Sequence, residues 1–183
     1  MTMPWRALAG LLLLGLVAST ILGCGGDGPP ASGAGEETPA APGRGPSLEE
    51  PPGTTVTAAG RSVEAGIGSY CWTSMCVDKI GPITRGRLEV DRGTVVSVAL
   101  PRGVTALRSA NVTAFPAGAS QDVGNGNTAW QPDFERGTEL PATISGPAVE
   151  FAAQLPAGPY VVSIGMFVAS GGDVQYGVLL EVR

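Results

Sequence analysis

Residues 160–182 read YVVSIGMFVASGGDVQYGVLLEV, and this segment predicts a β-hairpin. Apolar side chains recur at every second position from Tyr160 to Met166 and again from Val174 to Val182, with the Gly-rich turn 170–173 between the two series. Successive side chains of a strand point to opposite faces of a sheet. The alternation therefore predicts two antiparallel strands with one face on a hydrophobic core.

Short apolar segments of the same kind recur upstream and are separated by Gly, Pro, Asn and Asp. The predicted strands are Thr54–Ala58, Met75–Ile80, Arg87–Val90, Thr94–Leu100, Leu107–Phe115 and Ala148–Ala152. No stretch sustains a helical period. About eight strands suffice for two stacked antiparallel sheets, so residues 54–183 are predicted to form an all-β, two-sheet antiparallel β-sandwich. The segment between Pro116 and Pro141 is expected to be a long irregular loop.

The residues before the hairpin also suggest a sandwich. Leu155-Pro156-Ala157-Gly158-Pro159-Tyr160 resembles the tyrosine corner of immunoglobulin-like and fibronectin type III domains. The resemblance implies an immunoglobulin-like fold in which the Tyr160 hydroxyl bonds back to the preceding loop. Val162 stands where antibody domains carry a cysteine, so their inter-sheet disulfide is not expected here.

The N-terminal residues have the pattern of an export signal. After Arg6, the uncharged run Ala7–Leu22 is shorter than the roughly 20 residues that cross a bilayer as a helix, which favours a signal peptide. Ile21-Leu22-Gly23-Cys24 resembles the lipobox of bacterial lipoproteins. The resemblance implies that residues 1–23 are removed and that Cys24 is lipidated. An ordinary signal peptide with an accidental cysteine is the alternative.

A Gly- and Pro-rich segment, residues 24–53, separates this signal from the predicted domain. It has almost no apolar side chains from which to build a core, so we expect a disordered tether. The resemblance to lipoproteins implies an extracytoplasmic domain held to the cell membrane or the outer membrane by lipid.

Charge and composition exclude several classes of function. The chain has 11 Lys and Arg against 16 Asp and Glu, a net charge of −5, which argues against nucleic acid as a partner. It has no histidine, which removes His-dependent triads and imidazole metal sites. The densest acidic group, Asp133, Glu135 and Glu139, falls in one expected loop without an evident cleft. We therefore expect neither an enzyme nor a bound cofactor.

Cys71 and Cys76 form a nearby pair once Cys24 is assigned to lipid. Outside the cytoplasm such a pair is expected to oxidise, and closing so short a loop stabilises a fold by roughly 2 kcal/mol. A structural disulfide is the favoured interpretation. A redox pair is the alternative, although the spacing is not that of C-x-x-C motifs.

Four aromatic residues are poorly explained by strand alternation: Tyr70, Trp72, Trp130 and Phe134. Flat aromatic side chains on loops suit sugar rings or a protein partner, because they offer a large contact area at a small cost in entropy. The structural alternative is that Trp72 caps the sandwich and Trp130 pins a long loop to the core.

Asp122, Asn125, Asn127 and Asp133 offer oxygen ligands of the kind that Ca²⁺ prefers, but their spacing is not that of an EF-hand. Turns also require such residues for positive φ and local hydrogen bonds, so they are weak candidates and no metal site is predicted.

The sequence thus favours a binding or interaction module of the cell envelope, with an envelope protein or glycan as the expected partner. The alternative is a carbohydrate- or Ca²⁺-dependent ligand-binding domain that uses the loops of Trp72, Trp130 and Asp122.

Overall fold

A computed structural model describes residues 50–183 of the chain. The predicted signal peptide 1–23, Cys24 and most of the predicted tether lie outside the described residues. Within that range there are fifteen strands and one 3₁₀ turn, Phe134–Arg136. The strands are β1 Thr55–Ala58, β2 Arg61–Glu64, β3 Gly66–Trp72, β4 Met75–Val77, β5 Ile83–Thr84, β6 Arg87–Val90, β7 Val95–Ala99, β8 Leu107–Pro116, β9 Ala119–Gly124, β10 Asn127–Gln131, β11 Thr138–Glu139, β12 Ala142–Ser145, β13 Ala148–Ala152, β14 Gly158–Val168 and β15 Asp173–Val182.

The strands form three sheets, two of which make the sandwich. One has the order β12-β13-β7-β1-β2, and the other has the order β11-β8-β14-β15-β3-β4 with β6 also paired to β15. The third sheet is small, with the order β5-β10-β9. Among the described strands every pairing is antiparallel except that of β6 with β15, which is parallel. The predicted all-β antiparallel sandwich is confirmed, although with more strands than the expected eight.

The hairpin of β14 and β15 lies at the centre of the larger sheet and supplies much of the core. Val162 faces Val178 across the two strands and Tyr160 faces Leu180, as the alternation predicts. The apolar side chains of this hairpin pack against those of the five-stranded sheet, including Val98. Burial of this apolar surface is the main force that holds the two sheets together.

The segment from Pro116 to Pro141 is not the irregular loop that we predicted. It folds into the β9–β10 hairpin, whose strands meet at Gly124-Asn125-Gly126, and then into the 3₁₀ turn and β11. All six residues of β9 are exposed, so that strand has no buried face. Without an apolar alternation, nothing in its sequence distinguished it from a loop.

The three-stranded sheet lies on the outer face of the larger sheet, and two glycines make its close approach possible. A Cβ atom on Gly66 would lie 2.4 Å from the carbonyl oxygen of Ile83, and a Cβ on Gly177 would lie 2.2 Å from the same oxygen. Real side chains essentially never approach so closely. Glycine at both positions therefore lets β5 cross the face of β3 and β15.

The folded region begins before β1. Pro51 is buried, and the Tyr176 hydroxyl donates a hydrogen bond of 2.6 Å to the carbonyl oxygen of Pro52. Burial raises the pKa of this hydroxyl above its ordinary value. This hydrogen bond comes from the middle of β15. Tyr160, at which the tyrosine-corner resemblance implies a bond to the preceding loop, is half-buried at the start of β14. No helix within residues 50–183 is long and apolar enough to span a membrane.

Candidate functional site

A groove of about 480 Å³ lies on the outer face of the seven-stranded sheet. Its volume is in the range typical of small-molecule sites, about 300–1,000 Å³. We call it the sheet groove. Its lining residues are Ser69, Asp78, Lys79, Gly81, Pro82, Asn111, Thr113, Phe115, Phe134, Ser163, Gly165, Met166, Phe167, Asp173, Val174 and Gln175.

Strand alternation gives the groove a polar floor. In β14, Val162 and Ile164 point into the core, so the intervening Ser163 belongs to the outer face. Thr113 of β8 stands opposite Ser163. Hydroxyl and amide side chains of four strands are thereby collected on one surface.

Gly165 lies at the centre of this floor. It stands opposite Asn111 of β8 on one side and Gln175 of β15 on the other. A Cβ on Gly165 would lie 2.0 Å from Oδ1 of Asn111, so the amide of Asn111 folds over the glycine. The Asn111 amide thus occupies the space above Gly165, and the Gln175 side chain lies beside Gly68 of β3.

Phenylalanine rings form the apolar side of the groove. The rings of Phe115 and Phe134 meet edge to face, with centroids 5.3 Å apart and an interplanar angle of 70°. Phe134 belongs to the 3₁₀ turn and is 59% exposed, although it is a large apolar side chain. Asp133 begins this turn by accepting a hydrogen bond of 3.1 Å from the backbone N–H of Glu135. The turn thus holds an aromatic ring over a polar floor.

Charged groups line the end of the groove near β3. Lys79 donates from Nζ to the carbonyl oxygen of Ile67 at 2.8 Å, and its Nζ lies 4.0 Å from Oε1 of Glu50. Ser69 donates to Oδ1 of Asp78 at 3.0 Å and accepts a bond of 2.9 Å from the backbone N–H of Lys79. The ammonium is therefore already engaged, and carboxylates contribute the remaining charge of the lining.

Of the four predicted aromatic candidates, the structure brings only Phe134 to this groove. Tyr70 is 6% exposed and belongs to the core, with Nζ of Lys79 lying 5.9 Å from its ring centroid. Trp72 is half-buried against the same core. Trp130 donates from Nε1 to Oγ1 of Thr84 at 2.9 Å, which ties β10 to β5. Trp130 also lines a smaller pocket of about 180 Å³ beside β9 and β10.

The Cys71–Cys76 disulfide is present. The two cysteines face each other in the register of β3 and β4, with Cα atoms 4.0 Å apart. The bond closes the hairpin that carries Trp72 and precedes the Asp78–Lys79 end of the sheet groove.

The weak metal candidates lie around the tip of the β9–β10 hairpin and at the start of the 3₁₀ turn. Oδ1 of Asp122 accepts a hydrogen bond of 2.8 Å from the backbone N–H of Gly124, and Asn125 has a φ of 55° at the tip of the β9–β10 hairpin. Asn127 opens β10, while Asp133 lies beyond that strand and begins the 3₁₀ turn. Residues 50–183 contain no group of three or more His, Cys, Asp or Glu side chains placed to hold a metal ion.

A second cavity, of about 620 Å³, lies beside the three-stranded sheet. Apolar side chains such as Ile67 and Ile83 share its lining with Glu64 and Arg85, whose carboxylate and guanidinium lie 2.8 Å apart. Its lining also contains Glu50 and Lys79, whose carboxylate and ammonium lie 4.0 Å apart.

No protein family, curated protein or solved structure matches this chain. The candidate site therefore rests on geometry and chemistry alone.

Sequence reasoning missed most of the sheet groove. Asn111, Thr113, Ser163 and Gln175 alternate with buried residues, which is also the pattern of an ordinary solvated strand face. The strand register, which one sequence does not show, is what brings them together. Phe134 was the one signal available, because it is an aromatic residue that no strand pattern explains.

Proposed function

We propose that this protein is a lipid-anchored, extracytoplasmic binding module of the cell envelope, and that the sheet groove is its binding face. The observation that carries the proposal is the exposed ring of Phe134 beside a floor of hydroxyl and amide side chains. Binding sites typically combine apolar contact area with a few polar groups that orient the ligand.

The lining chemistry favours binding over catalysis. Nucleophilic catalysis by a hydroxyl requires an adjacent base, and histidine, the most common one, is absent from the chain. Ser69 is hydrogen-bonded to Asp78, but the same hydroxyl accepts from the backbone N–H of Lys79. These two hydrogen bonds of Ser69 stabilise the turn at Asp78 and Lys79. The other polar side chains of the groove are suited to binding a ligand.

The anchor is supported by the lipobox-like Ile21-Leu22-Gly23-Cys24. Two or more acyl chains on Cys24 hold a protein at a membrane stably, since each buried CH₂ contributes about 0.8 kcal/mol. We expect the full-length protein to partition into a Triton X-114 detergent phase and to incorporate an alkyne-labelled palmitate. Cys24→Ser is expected to abolish both, and retained labelling in that variant contradicts the anchor.

A crosslinking experiment tests the binding face in the cells that make the protein. A photoreactive phenylalanine analogue replaces Phe134 in the full-length anchored protein, and the same analogue at Val95 is the control. Val95 is matched because it is also an apolar residue that is 59% exposed, but it lies on β7 of the other sheet. Capture of a defined envelope component from position 134 and not from position 95 supports the proposal. Equal capture, or none, from the two positions contradicts it.

The alternative of a carbohydrate- or Ca²⁺-dependent domain built on the Trp72, Trp130 and Asp122 loops has less support. The indole of Trp130 is hydrogen-bonded to Thr84, and the carboxylate of Asp122 is hydrogen-bonded to its own turn.

A further inference from the structure

The chemistry of the sheet groove narrows the class of its ligand. Resting on the proposed binding function, we propose that the groove binds an uncharged saccharide, with one sugar ring stacked on Phe134 and its hydroxyl groups bonded to Asn111, Thr113 and Gln175. The site is distinct from the tryptophan loops that the sequence suggested.

The polar floor matches a ligand rich in hydroxyl groups. The carboxamides of Asn111 and Gln175 each offer both donors and an acceptor, and the hydroxyls of Thr113 and Ser163 each donate and accept. A sugar hydroxyl has the same dual character. Mixed donors and acceptors around Gly165 therefore complement a saccharide better than they complement a uniform donor such as an amine or a uniform acceptor such as a phosphate.

The aromatic side of the groove suits the apolar face of a pyranose ring. Phe115 contacts Phe134 edge to face, and this contact favours one orientation of the exposed ring. Rigid aromatic side chains give contact area at a small entropic cost. A sugar placed between the ring and the floor has its C–H face on Phe134 and its hydroxyl groups toward the amides.

The charges in the lining oppose an anionic ligand. Lys79 is the cation of the groove, and its ammonium is held by the Ile67 carbonyl oxygen near Glu50. Asp78 and Asp173 place carboxylates in the same lining. A negatively charged sugar would be repelled, whereas carboxylates are strong acceptors for sugar hydroxyls.

A peptide is a poorer fit. Peptides that add to sheets pair with an exposed strand edge. The groove instead lies across the face of β8, β14, β15 and β3, whose backbones are paired with neighbouring strands. It offers side chains to a ligand and no free strand edge.

Binding assays with defined glycans test this inference. The full-length protein in detergent micelles is titrated calorimetrically with cellotetraose, maltotetraose and chitotetraose, and with a heparin oligosaccharide as the anionic comparison. Tryptophan fluorescence is unsuitable as the readout because neither Trp72 nor Trp130 lines the groove. Purified peptidoglycan glycan strands without their peptides, in which each N-acetylmuramic acid carries a free carboxylate, are the second anionic comparison and are expected to bind more weakly than chitotetraose.

Two groove variants and two matched controls locate the binding. Phe134→Ala is expected to weaken binding about tenfold, since it removes the stacking surface. Gln175→Ala is expected to weaken it about fivefold, the effect of one hydrogen bond of roughly 1 kcal/mol. Val95→Ala and Gln154→Ala are the controls, because both side chains are exposed and lie outside the groove.

Binding of at least one neutral glycan that the groove variants weaken and the controls leave unchanged supports the inference. Binding that all four variants leave unchanged, or a preference for heparin, overturns it. If no glycan binds while position 134 still captures an envelope protein in cells, the saccharide inference fails and the proposed binding function stands. If glycan binding and capture are both absent, both proposals fail.

Discussion

At the scale of single residues, Tyr176 links the start of the folded region to the centre of the larger sheet. Its hydroxyl donates to the Pro52 carbonyl oxygen, and its ring is 1% exposed in the core. Tyr176→Phe keeps the ring and removes the donor, so we expect a loss of about 1 kcal/mol in the free energy of unfolding. Urea denaturation of both proteins at neutral pH measures the difference, and an unchanged midpoint contradicts it.

Because the Tyr176 hydroxyl is buried, we expect the free energy of unfolding to depend on pH in the alkaline range. Burial raises the pKa of Tyr176 in the folded protein, so above about pH 10 the unfolded chain loses this proton while the folded chain retains it. Stability is therefore fully present below that pH and falls as the pH rises above it. The fall is expected to be shallower in Tyr176→Phe, as measured by urea midpoints from pH 8 to pH 11. Parallel profiles for the two proteins would assign the alkaline loss to other groups.

Substitution of Trp130 distinguishes a structural role of this residue from a role in binding. Its indole N–H bonds to Thr84, whose side chain is nearly buried at 4% exposure. Trp130→Phe leaves that hydroxyl without its partner and is expected to lower the free energy of unfolding by about 1–2 kcal/mol. Capture at position 134 and glycan binding are expected to stay the same. Normal stability with lost binding would instead place Trp130 in the binding surface.

At the scale of elements, the docking of the three-stranded sheet depends on Gly177. A Cβ there meets the Ile83 carbonyl oxygen at 2.2 Å, and backbone cannot move aside as a flexible side chain can. We expect Gly177→Ala to cost about 1–3 kcal/mol and to reduce hydrogen-exchange protection in β10. Gly53→Ala is the matched control because nothing lies within 4 Å of its Cβ position. Equal stability of the two variants would mean that β5 does not need this close approach.

Comparison of the predicted and observed strands shows which parts of the fold were predictable from the sequence. β14 and β15 were predictable because core residues alternate along both, and Arg87–Val90 and Ala148–Ala152 were predicted with the bounds observed. β9 was not, since a strand with no buried residue has no alternation. β5 has two residues, and its position depends on glycines of β3 and β15 that are distant in sequence.

The candidate site, too, has one part that was predictable from the sequence and one part that was not. The disulfide was predictable because five positions separate Cys71 from Cys76, a spacing that one hairpin closes. The groove floor was not predictable, because Asn111 and Gln175 become neighbours of Gly165 only through the register of three strands. The spacing of two residues in the sequence was thus enough to predict the disulfide. The groove floor could not be predicted in this way, because it depends on how the strands of the sheet pair.

At the scale of the whole molecule, the proposed lipid anchor makes the distance between the groove and the membrane a function of the length of the predicted tether. Residues 24–53 lie largely outside the described part of the chain, and their composition predicts a spacer with a reach of about 30 Å when flexible and up to about 90 Å when extended. If the tether only sets reach, then shortening it changes which partners the groove meets and leaves the fold alone.

Deletion of residues 28–47 tests whether the tether affects only the reach of the domain and not its stability. The free energy of unfolding is expected to stay the same, because the described contacts of the folded region begin at Glu50, beyond the deleted segment. The shorter tether has about half the flexible reach, so capture from position 134 in cells is expected to fall severalfold while glycan affinity in detergent is unchanged. A Gly/Ser segment of the deleted length is expected to restore capture. If it does not, the natural tether sequence takes part in binding, and its acidic and proline residues are more than a spacer.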